Sequence, residues 1–357
     1  MKSFSRLLIT LMTSASIGLA GASAAMAEEK TEFKLAWSIY VGWMPWGWAA
    51  DQGIVDKWAD KYDITIEVVQ FNDYIESINQ YTAGAFDGVT ATNMDLLAIP
   101  SVGGVDTTSL IVGDFSNGND ALILKDADTL EAVVGQNVNL VELSVSHYLL
   151  ARALESIDKA EKDISVINTS DADMIAAYQT DDVTAVVTWN PLVAEILETP
   201  GATKVFDSSD IPGEIMDLTA VNTETLADNP AFGKALVGAW YETMSIMLSD
   251  TPEGEAARTA MGEASGTDLA GYDMQLASTQ MFAEPSDAVT FTTSKDVETT
   301  MQAVRMFLFE RGLLGDGASS PDIVGIGFPD GSILGDEANV KFRFNADYMS
   351  MAADGTL

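Results

Sequence analysis

The sequence predicts an α/β fold in two lobes, each a mostly parallel sheet flanked by helices. Three observations carry this. Short β-type runs alternate with helix-type patterns from residue 33 to residue 222, the pattern of parallel strands joined by crossover helices. The segment GDFSNGNDALILK (113–125) reads as a connection into a second unit, and the α/β pattern returns through DLTAVN (217–222). The chain has 357 residues, 47% of them apolar, which suits two cores better than one.

The elements follow in order. FKLAW (33–37) is a strand, followed by a tryptophan-rich turn and a helix over 46–61. ITIEVVQF (64–71) alternates with period two, a helix spans 73–83, and FDGVTAT (86–92) is a short strand. TSLIVGDF (108–115) and DALILK (120–125) come next in close succession. NVNLVE (137–142) leads into a helix over 146–156, and DISVINT (163–169) into a helix over 171–179. VTAVVTW (183–189), TKVFD (203–207) and DLTAVN (217–222) are the last clear strands. Beyond residue 222 the pattern turns helical. Asp228 is placed to cap a helix with Pro230 in its first turn, running to about residue 248. The segment 250–294 is helical in part, and another helix runs from Lys295 to Gly312. These elements put the first lobe over 28–117, the second over 118–219, and the rest of the first lobe with C-terminal helices over 220–357.

Residues 1–27 read as a secretory signal peptide: Lys2 and Arg6 precede an apolar stretch, and Ala25-Met26-Ala27 supplies the cleavage pattern. Cleavage after Ala27 and a periplasmic location are therefore expected. No other stretch reaches the roughly 20 apolar residues of a membrane span, so the mature chain is not expected to be membrane-embedded. There is no cysteine for a disulfide or a lipid anchor. Removing Lys2 and Arg6 leaves 16 basic against 54 acidic residues, a formal charge of −38. Nucleic acid is excluded as a partner, because phosphate needs clustered cations. The acidic residues are spread along the chain, which fits a solvated surface suited to a salty exterior.

Several segments together resemble a known family. WMPWGWAADQGIVDKW (43–58) has an aromatic or proline turn, a small-residue helix, then Gly and an apolar residue. FNDYIESINQYTAGAFDGVTATNMD (71–95), VELSVSHYLLARAL (141–154) and MIAAYQTDDVTAVVTWNPLVAEIL (174–197) follow in the same order as in that family. The chain resembles periplasmic solute-binding proteins of ATP-driven importers, of the nitrate/taurine/sulfonate (NitT/TauT) type. It is most similar to the subgroup associated with urea carboxylase gene neighbourhoods. The resemblance implies a type II periplasmic-binding-protein, or Venus-flytrap, fold. It implies a monomer without cofactor that takes a small urea-like or guanidine-like ligand to an inner-membrane ABC permease and its ATPase. Taurine or another sulfonate, nitrate and a thiamine-precursor pyrimidine are the alternative ligands. An enzyme on the same scaffold, or a secreted sensor, is the alternative class.

In open α/β sheets ligands bind beyond the carboxyl ends of strands, near helix N-termini. Those places hold Trp37, Tyr40, Trp43, Trp46, Asp73, Asn93, Asp95, Glu142, Ser144, Ser146, His147, Trp189, Asn190, Glu214 and Asp217. Each has a structural alternative. The acids and amides are also natural helix caps and turn formers, and Trp189-Asn190-Pro191 can simply end a strand and start a helix. His147 is the only histidine, which excludes a histidine-based metal cluster; it either packs at a helix start or lines the ligand. None of these segments contains Lys or Arg. That weighs against an anionic ligand, although helix N-termini alone can bind anions. It favours a donor-rich cation or neutral amide facing carboxylates and aromatic rings. Four of the seven tryptophans crowd into residues 37–48; Trp48 lies inside the helix and reads as structural.

Overall fold

The computed structural model describes residues 30–315 and 317–357; the signal-peptide expectation falls on residues outside them. Strand β1 (Glu32–Ser38) alternates exposed and buried side chains and then stays buried from Leu35 onward. It can do so because β2 (Thr65–Phe71) and β3 (Gly88–Thr92) flank it, both parallel to it. The helix expected over 46–61 is two helices, Met44–Asp51 and Ile54–Asp60. They part at Gly53, whose φ of 70° is a left-handed conformation that glycine adopts without a Cβ clash. The helix Tyr74–Thr82 starts on Asp73, which accepts the Glu76 N–H at 2.8 Å. β4 (Thr107–Ser116) completes the first part of this sheet.

Three residues later the chain enters a second sheet through β5 (Asp120–Lys125). β6 (Asn137–Leu140), β7 (Ser165–Asn168), β8 (Ala185–Trp189) and β9 (Ala202–Asp207) complete it in the order β7-β6-β8-β5-β9. A return link over 208–215 leads to β10 (Met216–Asn222), which inserts between β3 and β4 of the first sheet. DLTAVN therefore lies inside the first lobe, and the crossing back precedes it. β5 and β10 run antiparallel to both of their neighbours. They are the two strands that arrive from the other lobe rather than by a crossover helix, and only a crossover enforces parallel pairing.

The C-terminal part packs helices on the first lobe and widens its sheet. The helix Pro230–Met247 has Asn229 rather than Asp228 at its N-cap position, without a side-chain cap, because Asp228 ends the preceding helix Thr223–Asp228. It buries Phe232 in a stack on Phe33 with centroids 4.5 Å apart, and Trp240 beside Trp46 at 5.3 Å. Burial of each such ring contributes on the order of 2–3 kcal/mol. Helices follow at Pro252–Ala264, Leu269–Leu276, Pro285–Thr292 and Lys295–Glu310. β11 (Thr279–Met281), β12 (Gly325–Gly327), β13 (Ile333–Leu334) and β14 (Val340–Phe344) extend the first sheet to the order β13-β12-β14-β4-β10-β3-β1-β2, with β11 beside β4. Among the described residues no helix is long and apolar enough to cross a membrane.

Candidate ligand-binding site

Strand register assembles the site. Asp217, at the start of β10, sits opposite Thr92 on β3 and opposite Asp114 on β4. In the second sheet Asp120, at the start of β5, sits opposite Trp189 at the end of β8. Thr92, Asp120, Trp189 and Asp217 line one cavity with Tyr40, Trp43, Tyr74 and Val145. Both lobes thus contribute walls, the first through β3, β10 and the tryptophan turn, the second through β5, β8 and the helix Val145–Ser156.

Four carboxyl groups are buried in and around this cavity: Asp95 and Asp114 at 0% exposure, Asp120 and Asp217 at 3%. None of them takes part in an ion pair formed by the described residues. Their partners are neutral donors. Tyr74 Oη donates to Asp95 Oδ2 at 2.7 Å, Thr92 Oγ1 donates to the same oxygen at 2.9 Å, and the Val145 N–H reaches it from the second lobe at 3.4 Å. Tyr40 Oη donates to Asp114 Oδ1 at 3.0 Å, and Ser116 Oγ donates to Asp120 Oδ2 at 2.6 Å. One oxygen on each of Asp95, Asp114 and Asp217 is buried with no partner among the described residues.

Burial without a counter-charge disfavours the ionised form of every one of these acids. It pushes Asp95 up to about 6 and Asp120 up to about 7, the latter helped by the charges of Asp95 and Asp207. Burial pushes Asp114 up to about 7 against the easing hydrogen bonds of Asp217 and Tyr40, while burial and the facing charge of Asp114 hold Asp217 well above the ordinary carboxyl range. These acids therefore hold their protons to higher pH than an exposed carboxyl does, and a cation beside them would favour the ionised forms. Burial and the same acids push the Tyr40 phenol far up, so it stays a neutral donor.

Rings form the remaining wall. Tyr40 meets Trp43 edge-on at 4.9 Å, Trp43 lies tilted to Tyr74 at 5.7 Å, and Tyr74 meets Trp189 edge-on at 5.6 Å. Gly42 makes the approach of the turn to Asp114 possible, since a Cβ there would stand 2.5 Å from Asp114 Oδ2. The cavity is small, about 250 Å³ including its open mouth. A larger groove of about 830 Å³ runs past Arg152, Glu155 and Asp210 on the surface of the second lobe, but Arg152 there is already paired with Glu155 and Glu214.

Of the residues singled out in the sequence, Tyr40, Trp43, Trp189 and Asp217 line the cavity, and Asp95 stands directly behind Thr92 and Tyr74. The others are engaged elsewhere. Trp37 packs against Gly47, and Trp46 donates its indole N–H to Thr219 Oγ1 at 3.1 Å in the first lobe's core. Asp73 is a helix cap, and Asn93 clamps the return link through Met216 N–H and Glu214 C=O. Glu142 is exposed, its backbone N–H held by Asn168. Ser144 caps the helix Val145–Ser156, and Ser146 is buried beside it with an unpartnered hydroxyl. His147 accepts the Leu143 N–H at Nδ1, so its Nε2 carries the proton donated to Glu161 at 2.9 Å. Asn190 is tied to Asn119, Ser278 and Ala194. Glu214 binds Arg152 through two nitrogens, at 2.8 and 3.0 Å, and Tyr148 Oη at 2.6 Å. Tyr74 and Val145, which lie in the strand-end segments read from the sequence, join the site as well, together with Thr92, Asp114 and Asp120, which the sequence did not single out. A signal for the acids existed, since Asp114 and Asp120 are carboxylates at the ends of apolar strand runs, and the one basic residue of the segment, Lys125, stands at the far end of its strand.

The fold has known counterparts. The alkanesulfonate-binding protein SsuA of Xanthomonas axonopodis pv. citri, bound to MOPS, superposes with a TM-score of 0.66 at 15% identity, covering 81% of this chain and 96% of its own. The periplasmic nitrate-binding protein NrtA of Synechocystis PCC 6803 gives 0.58 at 14% identity, covering 92% and 99%. The desulfurization enzyme DSZB gives 0.54 at 14% identity, covering 79% and 93%. At these identities the likeness shows the two-lobed fold and nothing narrower. No curated protein sequence matches the chain. The model of the NMT1-like family matches residues 27–261, well over half the sequence, and the chain belongs to that family.

Proposed function

We propose that the protein is an extracytoplasmic solute-binding component of an ABC import system, working in the periplasm. It captures a small N–H-bearing cation, guanidinium or a close analogue, between its lobes and hands it to a membrane permease with its ATPase. One observation carries this reading: four buried carboxyl groups surround an aromatic cavity, and none has a cation for a partner. A planar guanidinium supplies in-plane N–H donors for the unpartnered carboxylate oxygens and a face for the rings. Quaternary ammonium ions suit aromatic cages but donate nothing to those oxygens. The sulfonate- and nitrate-binding counterparts share the fold, yet an anion here would meet two aspartates and no Lys or Arg among the lining residues. Urea, with N–H donors but no charge, is the second reading, favoured by the same unpartnered acceptors. Among the described residues no group of three His, Cys, Asp or Glu is placed to hold a metal ion, which leaves an organic cation as the better fit.

The lobes would close by bending at the links 117–119 and 208–215, and closure requires tighter binding to the closed state than to the open one. Isothermal calorimetry against guanidinium, urea, tetramethylammonium, taurine and nitrate tests the reading. Guanidinium is expected to bind tightest, urea more weakly and the anions not at all, with the ligand recovered unchanged. A preference for taurine or nitrate, or turnover of the bound compound, overturns it.

A further inference from the structure

Both links between the lobes meet at one hydrogen-bonded chain that ends on a wall of the cavity. Asp120, the first residue of β5, lines the cavity and accepts from Ser116 Oγ, on the last residue of β4, at 2.6 Å. Ser116 Oγ also stands 2.6 Å from Ser208 Oγ, where the return link begins. Ser208 Oγ in turn accepts the Gly118 N–H at 2.7 Å, from the middle of the first link. Both serines are fully buried.

The direction of the chain follows from proton counting. A serine hydroxyl has one hydrogen, and that of Ser116 points at the carboxylate. The bond between the serines is then donated by Ser208, whose oxygen accepts from Gly118. The sequence Gly118 N–H, Ser208, Ser116, Asp120 therefore runs one way and strengthens when its terminal carboxyl is charged. Facing that carboxyl are Asp95, Asp207, Asp114 and, across the cavity, Asp217 and Tyr40. Lys204 is occupied by Asp207 and by the Gly118 carbonyl at 3.5 Å.

We infer that Ser116 and Ser208 are positioning residues that couple the charge of the bound ligand to the junction of the two interlobe links. This rests on the cation reading above. A cation that holds Asp120 ionised tightens the chain, and the chain pins the first link to the return link in the closed arrangement. An uncharged site leaves the junction looser, so release and opening go together.

The test uses the purified protein and guanidinium chloride as the probe. Ser208→Ala is expected to raise the titration midpoint of the Asp120 carboxyl by about one pH unit in the empty protein, read from its carboxyl carbon by NMR. Ser116→Ala, which removes the direct donor, raises it further. Ser208→Ala is also expected to speed guanidinium dissociation about tenfold in stopped flow. In an Asp120→Asn background the same change leaves dissociation within about twofold, as a shared pathway requires. An Asp120 midpoint unmoved in both folded serine variants overturns the coupling, whatever the ligand is. If the wild-type protein binds no guanidinium, the cation reading falls while the midpoint still decides the serine chain.

Discussion

Two acidic sites, half-buried Glu214 on the return link and the buried aspartates around the cavity, are built to opposite rules. Glu214 is gripped by the Arg152 fork and by Tyr148, so its charge is answered within the protein. Asp114, Asp217, Asp120 and Asp95 have only hydroxyl and amide donors, and three of them leave an oxygen with nothing bound. A protein can carry the first arrangement for stability alone. The second costs free energy when empty and recovers it only when something positive and N–H-bearing arrives.

The largest expected effect breaks the unanswered cluster. Asp217→Asn should weaken guanidinium about 100-fold or more, while raising the melting temperature of the unliganded protein at alkaline pH, because a buried carboxyl that burial and Asp114 hold back from ionising is replaced by a neutral amide. Calorimetry and thermal unfolding read the two arms. Unchanged affinity together with lowered stability would make Asp217 a structural residue.

Next in size is the response to pH. Burial raises Asp95 to about 6 and Asp120 to about 7, so the folded protein binds these protons more tightly than the unfolded chain. The associated stability is fully present below about pH 4 and is lost as pH rises through 6 and 7, a few kcal/mol in all. A cation selects the ionised forms, so its stabilising effect should grow across the same window. Melting curves at pH 5 and pH 8, with and without guanidinium, check both signs, and Asp120→Asn should flatten the slope of the empty protein. Guanidinium affinity equal at the two pH values would contradict the assignment.

The smallest effect sharpens the contrast from the other side. Glu214→Gln should cost about 1–2 kcal/mol of stability, since the Arg152 pair is partly exposed. Guanidinium affinity should stay within about threefold. A large loss of affinity in calorimetry would show that the answered cluster also serves the ligand.

Much of this layout is legible in the sequence. The alternation of strands and helices up to residue 222 follows from periodicity and turn residues, whereas the short strands β11–β14 beyond it are not among those read from the sequence. DALILK (120–125) is a strand over the same residues in the structure. The absence of Lys and Arg near the strand ends is also legible, and it persists as acids without counter-charges. Less legible is direction. Trp43 and Trp46 lie three residues apart in one turn, yet one faces the cavity and the other the core. His147 looks poised at a helix start, yet Glu161 holds it away from the cavity.

The sequence by itself determined the class of fold, the segments that end near the cleft and the sign of the charge gathered there, because these depend on local patterning and composition. Only the tertiary structure decided which side chains meet. Neighbouring strand residues point to opposite faces, so which of two adjacent side chains turns inward depends on pairing register. That register brings Asp217 opposite Asp114 across 102 intervening residues, and Asp120 opposite Trp189 across 68. The ligand site is a product of those two registers.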